Sequence, residues 1–280
     1  MRSLEDRGIE VEWVVWSEHD PYKLHELIDL LIIRSTWDYT RRLVEFLAWI
    51  EASTAPICNS PALVRWNSDK RYLVELEAAG IPTVHTTVVQ SADEQWSAPE
   101  GFGEFVVKPS VGSGSLGAQR FFKDALQEGR EHARALLGSG HTVLVQPYLP
   151  SVDEGSETAL VFLEGVFSHA VTKGPMLRRE GPVEPVDGLY LAKKMDTRTA
   201  SETQREVAAR VLAALPYQDL LYTRVDLVDA PDGFPVLLEV EAVEPLLFFS
   251  FNPLAAEHLA DAILNRVKRH SDPAPAAPAL

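Results

Sequence analysis

Hydrophobic and polar positions along this chain switch between two periods, and the switches mark its elements. Leu27–Ile33 is a nearly unbroken apolar run of the kind a buried parallel strand gives. Between Arg41 and Ala52 the apolar positions Leu43, Phe46, Leu47 and Ile50 fall on one helical face. Ahead of them, Met1–Arg7 reads as the last turns of a helix closed by Gly8, and Ile9–Trp16 as a strand. An α/β layer with crossover connections is expected. Such layers begin with a strand, and none precedes the first helix. Either the start is misplaced or the layer lacks its first strand.

Asn59-Ser60-Pro61 offers a helix start with a cap and a first-turn proline. A second start at Asn67-Ser68-Asp69 leads into Lys70–Ala79, which stops at Gly80 before Pro82. Strands are then expected at Thr83–Val89, Phe105–Lys108, Ala118–Phe122 and Thr142–Leu149, with a helix at Asp124–Leu137. Glu157–Leu163 and Val166–Thr172 form a hairpin turning at Glu164-Gly165. Residues 174–195 read as a long loop, of a length often used for lids. Ser201-Glu202-Thr203-Gln204 is a capping box opening a helix to Leu215. A final hairpin spans Leu220–Val243 around Pro231-Asp232-Gly233, and a last helix covers Leu254–Arg269. The Pro/Ala-rich tail reads as disordered.

Composition narrows the partners. The chain has 280 residues, 46% of them apolar, enough for two or three subdomains and a sizeable core. A formal net charge of −15 argues against a general nucleic-acid or anionic-membrane surface, so an anionic ligand needs a local basic cluster or metal ions. The single cysteine, Cys58, rules out an intramolecular disulfide framework and fits a reducing cytoplasm. It reads as a small buried residue. Neither a span of about 18 apolar residues nor a signal-peptide core is present, so a cytoplasmic protein is expected.

Two stretches carry candidate chemistry. In Phe105–Gly117 a strand ends on Lys108, and a loop of small residues follows, with Gly112, Ser113, Gly114, Ser115 and Gly117. Glycines let backbone N–H groups approach a phosphate, and an ammonium nearby adds charge. The spacing matches G-x-G-x-x-G, but a strand follows where a dinucleotide fingerprint needs a helix. The loop is therefore a flap between two strands, or simply a flexible hairpin tip. In the last hairpin, alternation puts Arg224 and Asp226 on one face and Glu239 and Glu241 on one face, with Asp226 opposite Glu239. Three converging carboxylates among buried apolar neighbours call for a cation, and hard oxygen ligands suit Mg²⁺ or Mn²⁺. The plainer alternative is an acidic face paired with Arg224 and nearby lysines. Flap, lysines and carboxylates together specify a nucleoside triphosphate bound with metal. The P-loop, protein-kinase, zinc-site and nucleophile-elbow motifs are all absent.

The order of these motifs resembles the ATP-grasp superfamily, in its glutathione-synthetase-like and ribosomal-S6-modification-like branch, over residues 20–268. Asn67-Ser68-Asp69-Lys70 looks like the first lysine motif and Val106-Val107-Lys108-Pro109 the second. Val145-Gln146-Pro147-Tyr148-Leu149 resembles the strand and hinge that hold adenine through backbone groups. Glu157, or Glu154, would then take the ribose hydroxyls. His169–Lys173 resembles the strand that sends a basic residue, Lys173, toward the phosphates. Asp226, Glu239 and Glu241 fall on metal-ligand positions, although the third is more often Asn. The implied fold is α/β and α+β: an N-terminal α/β substrate domain (1–60), small and large ATP-grasp subdomains (61–148 and 149–270) and a tail (271–280). The implied reaction makes an acyl phosphate from a carboxylate and ATP, which a nitrogen nucleophile then displaces. Arg224 would stabilise the acyl phosphate or the tetrahedral intermediate, or would serve only as the partner of Asp226.

Arg34-Ser35-Thr36-Trp37-Asp38-Tyr39-Thr40 follows the carboxyl end of a strand, where open α/β sheets bind ligands. Arg34 would hold a carboxylate and Asp38 an amine of a small amino-acid-like substrate, with Ser35 a further substrate-binding residue. The alternative is a capped helix start with Trp37 in the core. Arg178 and Arg179 of the long loop would close on the same substrate, or lie solvated. This motif looks most like the O-ureidoserine cyclo-ligases of cycloserine biosynthesis. An intermolecular amino-acid or peptide ligase and a non-catalytic nucleotide-binding protein are the alternatives. An N-terminal layer short of a strand also leaves an edge on which a second copy could pair, as a homodimer.

Overall fold

The structure, a computed structural model, describes residues 1–177 and 195–271. Arg178, Arg179 and the tail beyond Ser271 lie outside the described residues. Helix α1 (Arg2–Glu5) ends where Gly8 takes φ +74° and the Ile9 N–H returns to the Leu4 carbonyl. The strand expected at Ile9–Trp16 is not formed. Trp13 and Val15 are exposed, while Trp16 is buried edge-on against Phe46 at 5.5 Å. The segment is an extended lead-in with one aromatic anchor and no ladder partner.

Strand β1 (Leu31–Ile32) is shorter than its apolar run, because Leu24 anchors a preceding 3-10 turn and Leu27 faces solvent. Helix α2 (Leu43–Ala52) buries Phe46, Leu47 and Ile50 and connects β1 to its parallel neighbour β2 (Ile57–Cys58). This first sheet has two strands. Helix α3 (Pro61–Asn67) starts as expected, with the Ser60 hydroxyl accepting from the Leu63 N–H and proline in the first turn. Helix α4 (Tyr72–Ala78) is closed by Gly80 at φ +81°.

A four-stranded antiparallel sheet follows. It is built from β3 (Thr87–Val89), β4 (Glu104–Pro109), β5 (Gln119–Phe122) and β6 (Val143–Pro147), in the order β3-β6-β4-β5. Helix α5 (Leu126–Gly138) covers one face, and a side chain at Gly129 would come within 2.7 Å of the Phe105 ring. The glycine sets how closely helix and sheet approach.

The third sheet is also antiparallel, in the order β11-β10-β7-β8-β9. Its strands are β7 (Thr158–Leu163), β8 (Val166–Lys173), β9 (Met195–Arg198), β10 (Tyr222–Asp229) and β11 (Pro235–Glu241). Strand β9 was not expected. Helix α6 (Glu202–Ala214), opened by the Ser201/Gln204 capping box, packs under this sheet against Leu160, Phe162, Val225, Leu227 and Val240. Helix α7 (Ala255–Ser271) packs against Val161, Leu163 and Tyr222. Strand alternation that sends Val225 and Leu227 toward α6 sends Arg224 and Asp226 to the opposite face. Among the described residues, no helix is long and apolar enough to cross a membrane.

Candidate active site

A cleft between the four- and five-stranded sheets gathers the chemistry-bearing residues. On its floor, β10 and β11 pair with Asp226 opposite Glu239 and Arg224 opposite Glu241, as the hairpin turn requires. A bulge after Asp226 adds Leu238 to β11, so that Leu238 and Glu239 both line the cleft. Arg224 is buried and grips Asp226 with two N–H groups, at 2.7 and 2.9 Å. A third N–H group donates to Glu241, a fourth reaches the Leu246 carbonyl at 3.2 Å, and the guanidinium stands over the Phe248 ring. Lys173, at the end of β8, bonds Asp226 at 2.7 Å and Glu157 at 2.5 Å.

Electrostatics follow from these pairs. Burial pushes the Asp226 carboxyl up, but Arg224 and Lys173 outweigh it and hold the group well below the usual carboxylate range. Burial works against the Lys173 ammonium, and Asp226 and Glu157 more than offset it. Glu239 is likewise lowered despite burial, by Lys70 and Lys108. Glu241 goes the other way: burial, with Glu239 and Asp226 nearby, pushes it up to about 7 despite Arg224.

The opposite wall carries the other two lysines. Lys70 donates to the Gly112 carbonyl at 2.6 Å and pairs with Glu239 at 3.1 Å, while its own N–H bonds the Ser110 carbonyl. Lys70 therefore ties the glycine loop to the carboxylate hairpin. Lys108 has no ion-pair partner among the described residues, and burial, aided by Lys70, lowers it to about 8. Gly112, Ser113, Gly114 and Ser115 line the cleft above these lysines. Gly114 and Ser115 both have positive φ, and the Ser115 hydroxyl meets the Met176 sulfur at 3.3 Å. Gly117 turns the loop back at φ +74°, with Pro109 so close that a Cβ would sit 3.3 Å from its ring.

At the far end Gln146, Pro147, Tyr148 and Leu149 line the cleft as expected. The Gln146 side chain is turned away to Thr86, so only the backbone of that residue is available. Tyr148 is fixed by Asp153 at 2.6 Å and by Arg120 stacked 3.4 Å above its ring. Val84, Val106, Val228 and Leu238 add an apolar slot that sequence reasoning missed, as it missed Met195 of β9. Glu157 lines the cleft; Glu154 sits exposed in the turn before β7 and does not.

The N-terminal layer is stitched to the carboxylate hairpin by buried side chains. Asn59 donates to the carbonyls of Tyr222 and Ala242 and accepts from the Leu221 N–H, at 2.7–2.9 Å. Asn67 donates to the Val240 carbonyl and accepts from the Ala242 N–H. The Tyr222 hydroxyl lies 2.6 Å from the Ile33 carbonyl and 3.0 Å from that of Val243. These bonds fix Ile33 and, after it, Arg34, whose guanidinium stands 5.2 Å from the centre of the Tyr222 ring and does not line the cleft. Sequence reasoning read Asn59 as a helix-start residue, and Asn67 as a helix start and the first position of a lysine motif, not as bridges between segments.

The expected substrate residues separate here. Arg34 keeps a buried Nη1 without a hydrogen-bond partner. Ser35 is exposed at φ +58°. Asp38 accepts from the Trp16 indole at 3.2 Å, lies 4.0 Å from Arg42 and does not line the cleft, although its neighbour Tyr39 does. Asp38 orients the turn. The unforeseen carboxylate is Glu244, which lines the cleft.

The carboxylates fit a divalent cation unequally. Glu239 and Glu241 open onto the cleft, and the crowding that raises Glu241 is the kind a bound cation relieves. Asp226 does not fit the expected role as it stands, because Arg224 and Lys173 take both its oxygens. No three His, Cys, Asp or Glu side chains among the described residues converge at ligand spacing.

Residues 1–59 match the family described as "D-cycloserine synthetase DcsG, N-terminal domain". The cycloserine biosynthesis protein DcsG of Streptomyces lavendulae is 39% identical over 257 residues, which are 86% of this chain and 84% of that protein. A glutathione synthetase of Ralstonia nicotianae is 23% identical over 242 residues, 86% of this chain and 68% of that protein. Among solved structures, D-cycloserine synthetase DcsG superposes with a TM-score of 0.78 at 34% identity, over 95% of this chain and 92% of that one. D-alanine–D-alanine ligase of Bacillus anthracis, complexed with ATP, gives 0.58 at 18% identity over 88% and 81%, a likeness of fold alone.

Proposed function

Because the chain belongs to the cycloserine-synthetase family of ATP-grasp ligases, an ATP-dependent family that forms carbon–nitrogen bonds, we propose that it cyclises O-ureidoserine or a similar small amino-acid derivative. The observation that carries this reading is the convergence of Lys70, Lys108 and Arg224 on the cleft that Glu239 and Glu241 also line. A triphosphate needs positive charge on that scale in a protein of net charge −15. Residues 1–60 would serve as the substrate domain, with 61–148 and 149–270 as the two halves that grip ATP.

On this reading Gly112–Ser115 lie over the triphosphate with backbone N–H groups, and the apolar slot beside Tyr148 and Leu149 takes the adenine. Glu157, still tied to Lys173, faces the ribose. Mg²⁺ held by Glu239 and Glu241 would neutralise triphosphate charge. The substrate carboxylate attacks the γ-phosphorus and ADP leaves. The oxygen-bound ureido nitrogen then attacks the carbonyl carbon of the acyl phosphate and gives up its proton, closing the five-membered ring as phosphate departs. Hydrolysis of the carbamoyl group left on that nitrogen, to carbon dioxide and ammonia, frees the ring. Arg224 is held rigid by Asp226, Glu241 and Leu246, so its charge needs no reorganisation as the oxyanion develops. Lys173 acts one step back: it fixes Asp226, which fixes Arg224.

The test is ADP release from Mg-ATP with O-ureidoserine, single amino acids and amino-acid pairs. Release with O-ureidoserine alone, lost in Lys108→Ala and Glu239→Ala, is the expected result. Release only with pairs would replace cyclisation by intermolecular ligation.

A further inference from the structure

We propose that Glu244 is the subsite for the ammonium group of the amino-acid substrate. The proposal rests on the ligase reading and names what that reading leaves open: which carboxylate recognises the amine. Glu244 follows the carboxylate strand by three residues and lines the cleft. Its Oε2 is buried and has no hydrogen-bond partner, while its side chain also takes a hydrogen bond from Trp37. Arg34 Nη1 is buried and equally unpartnered.

A buried carboxyl oxygen on the wall of a cleft with no hydrogen-bond partner is costly in a folded chain. Such a group is retained where a ligand completes it. A cationic ligand would satisfy it and offset the burial that pushes this carboxyl up to about 8, and the ammonium group of an α-amino acid is such a ligand. The other charges near Glu244 are accounted for. Arg224 is occupied by Asp226 and Glu241, and Glu241 contributes further negative charge that favours a cationic ligand. Asp38, the residue expected from sequence to hold an amine, is outside the cleft.

The frame is rigid. The Tyr222 hydroxyl bridges the carbonyls of Ile33 and Val243, so the residues that follow each, Arg34 and Glu244, keep a fixed separation. The substrate's own amine then decides its orientation, and its carboxyl is presented toward Arg224 and the lysines.

The test uses the full-length protein with a non-hydrolysable ATP analogue and calorimetric titration of O-ureidoserine and its des-amino analogue. Glu244→Gln should weaken O-ureidoserine on the order of 10- to 100-fold, the usual range for losing a charge-assisted contact. It should leave des-amino binding and ATP-analogue affinity within about twofold of wild type, and Glu244→Asp should restore part of the loss. Equal loss for both ligands, or no loss for O-ureidoserine, would overturn the proposal. Unchanged nucleotide affinity in Glu244→Gln separates a subsite effect from misfolding. If the wild type binds amino acids but releases no ADP with any of them, the ligase reading fails while the ammonium subsite stands.

Discussion

Lys108 offers the sharpest quantitative prediction. Its ammonium is enclosed, has no ion-pair partner among the described residues and sits near Lys70, so it titrates at about 8 instead of 10.5. The depressed value means that the ligand-free protein disfavours the charged form. A bound triphosphate supplies the missing counter-charge and restores the ordinary value. ATP therefore binds the protonated lysine, and affinity falls as pH rises from about 8 toward 10.5. Between pH 7.5 and 9.5 the two titration curves differ enough to weaken ATP roughly 20-fold. Fluorescent-nucleotide titration across that range measures this directly. Lys108→Arg keeps its charge over the whole range and should flatten the profile, whereas Lys108→Met should bind weakly at every pH. A wild-type affinity that changes less than about twofold, or an arginine variant with the same slope, would refute the reasoning.

Three further outcomes follow from the same network. Lys173→Met leaves Glu157 and Asp226 short of a partner in a buried setting; the expected cost is about 3–5 kcal/mol, or roughly 6–20 °C in Tm by calorimetry. Gly117→Ala must hold a side chain at positive φ against Pro109; it should cost about 1–2 kcal/mol and weaken ATP, both read in one thermal-shift titration. The folded-state value of Glu241 is raised to about 7, so its contribution to stability is present below the unfolded value near 4.5 and is lost as pH rises through 7. Glu241→Gln should therefore raise the Tm of the ligand-free protein at pH 8 relative to pH 5, while more Mg²⁺ is needed for half-maximal ADP release.

What could be read from sequence was local. The register of the last hairpin, with Asp226 opposite Glu239, follows from period-two alternation about one Asp-Gly turn. The Ser201 capping box and the Ser60 cap are likewise short-range patterns. Ile9–Trp16 was misread because a strand also needs a neighbour, and no segment pairs with it. Strand β9 was missed because four residues after a long mixed loop carry little periodicity; it is made by pairing with β8. Asp38 was singled out from its place after the carboxyl end of a strand, and Glu244 was not weighed at all. The link between the Arg34 and Glu244 segments is long-range, set by Tyr222 bonding two carbonyls 210 residues apart, Ile33 and Val243. Asn59 and Asn67 act in the same way, over distances that leave no local pattern. The three carboxylates were found, and the plainer alternative, Arg224 and a lysine as partners of Asp226, describes what its two oxygens meet in the structure.

The central claim is that a substrate carboxylate is activated by phosphorylation in the Lys70–Lys108–Arg224 cleft. It is tested most directly with O-ureidoserine carrying ¹⁸O in both carboxylate positions, turned over with Mg-ATP, and mass spectrometry of the released phosphate. Transfer of one ¹⁸O into inorganic phosphate, together with ADP, is the predicted result. Unlabelled phosphate, or AMP and pyrophosphate in place of ADP and phosphate, would contradict it.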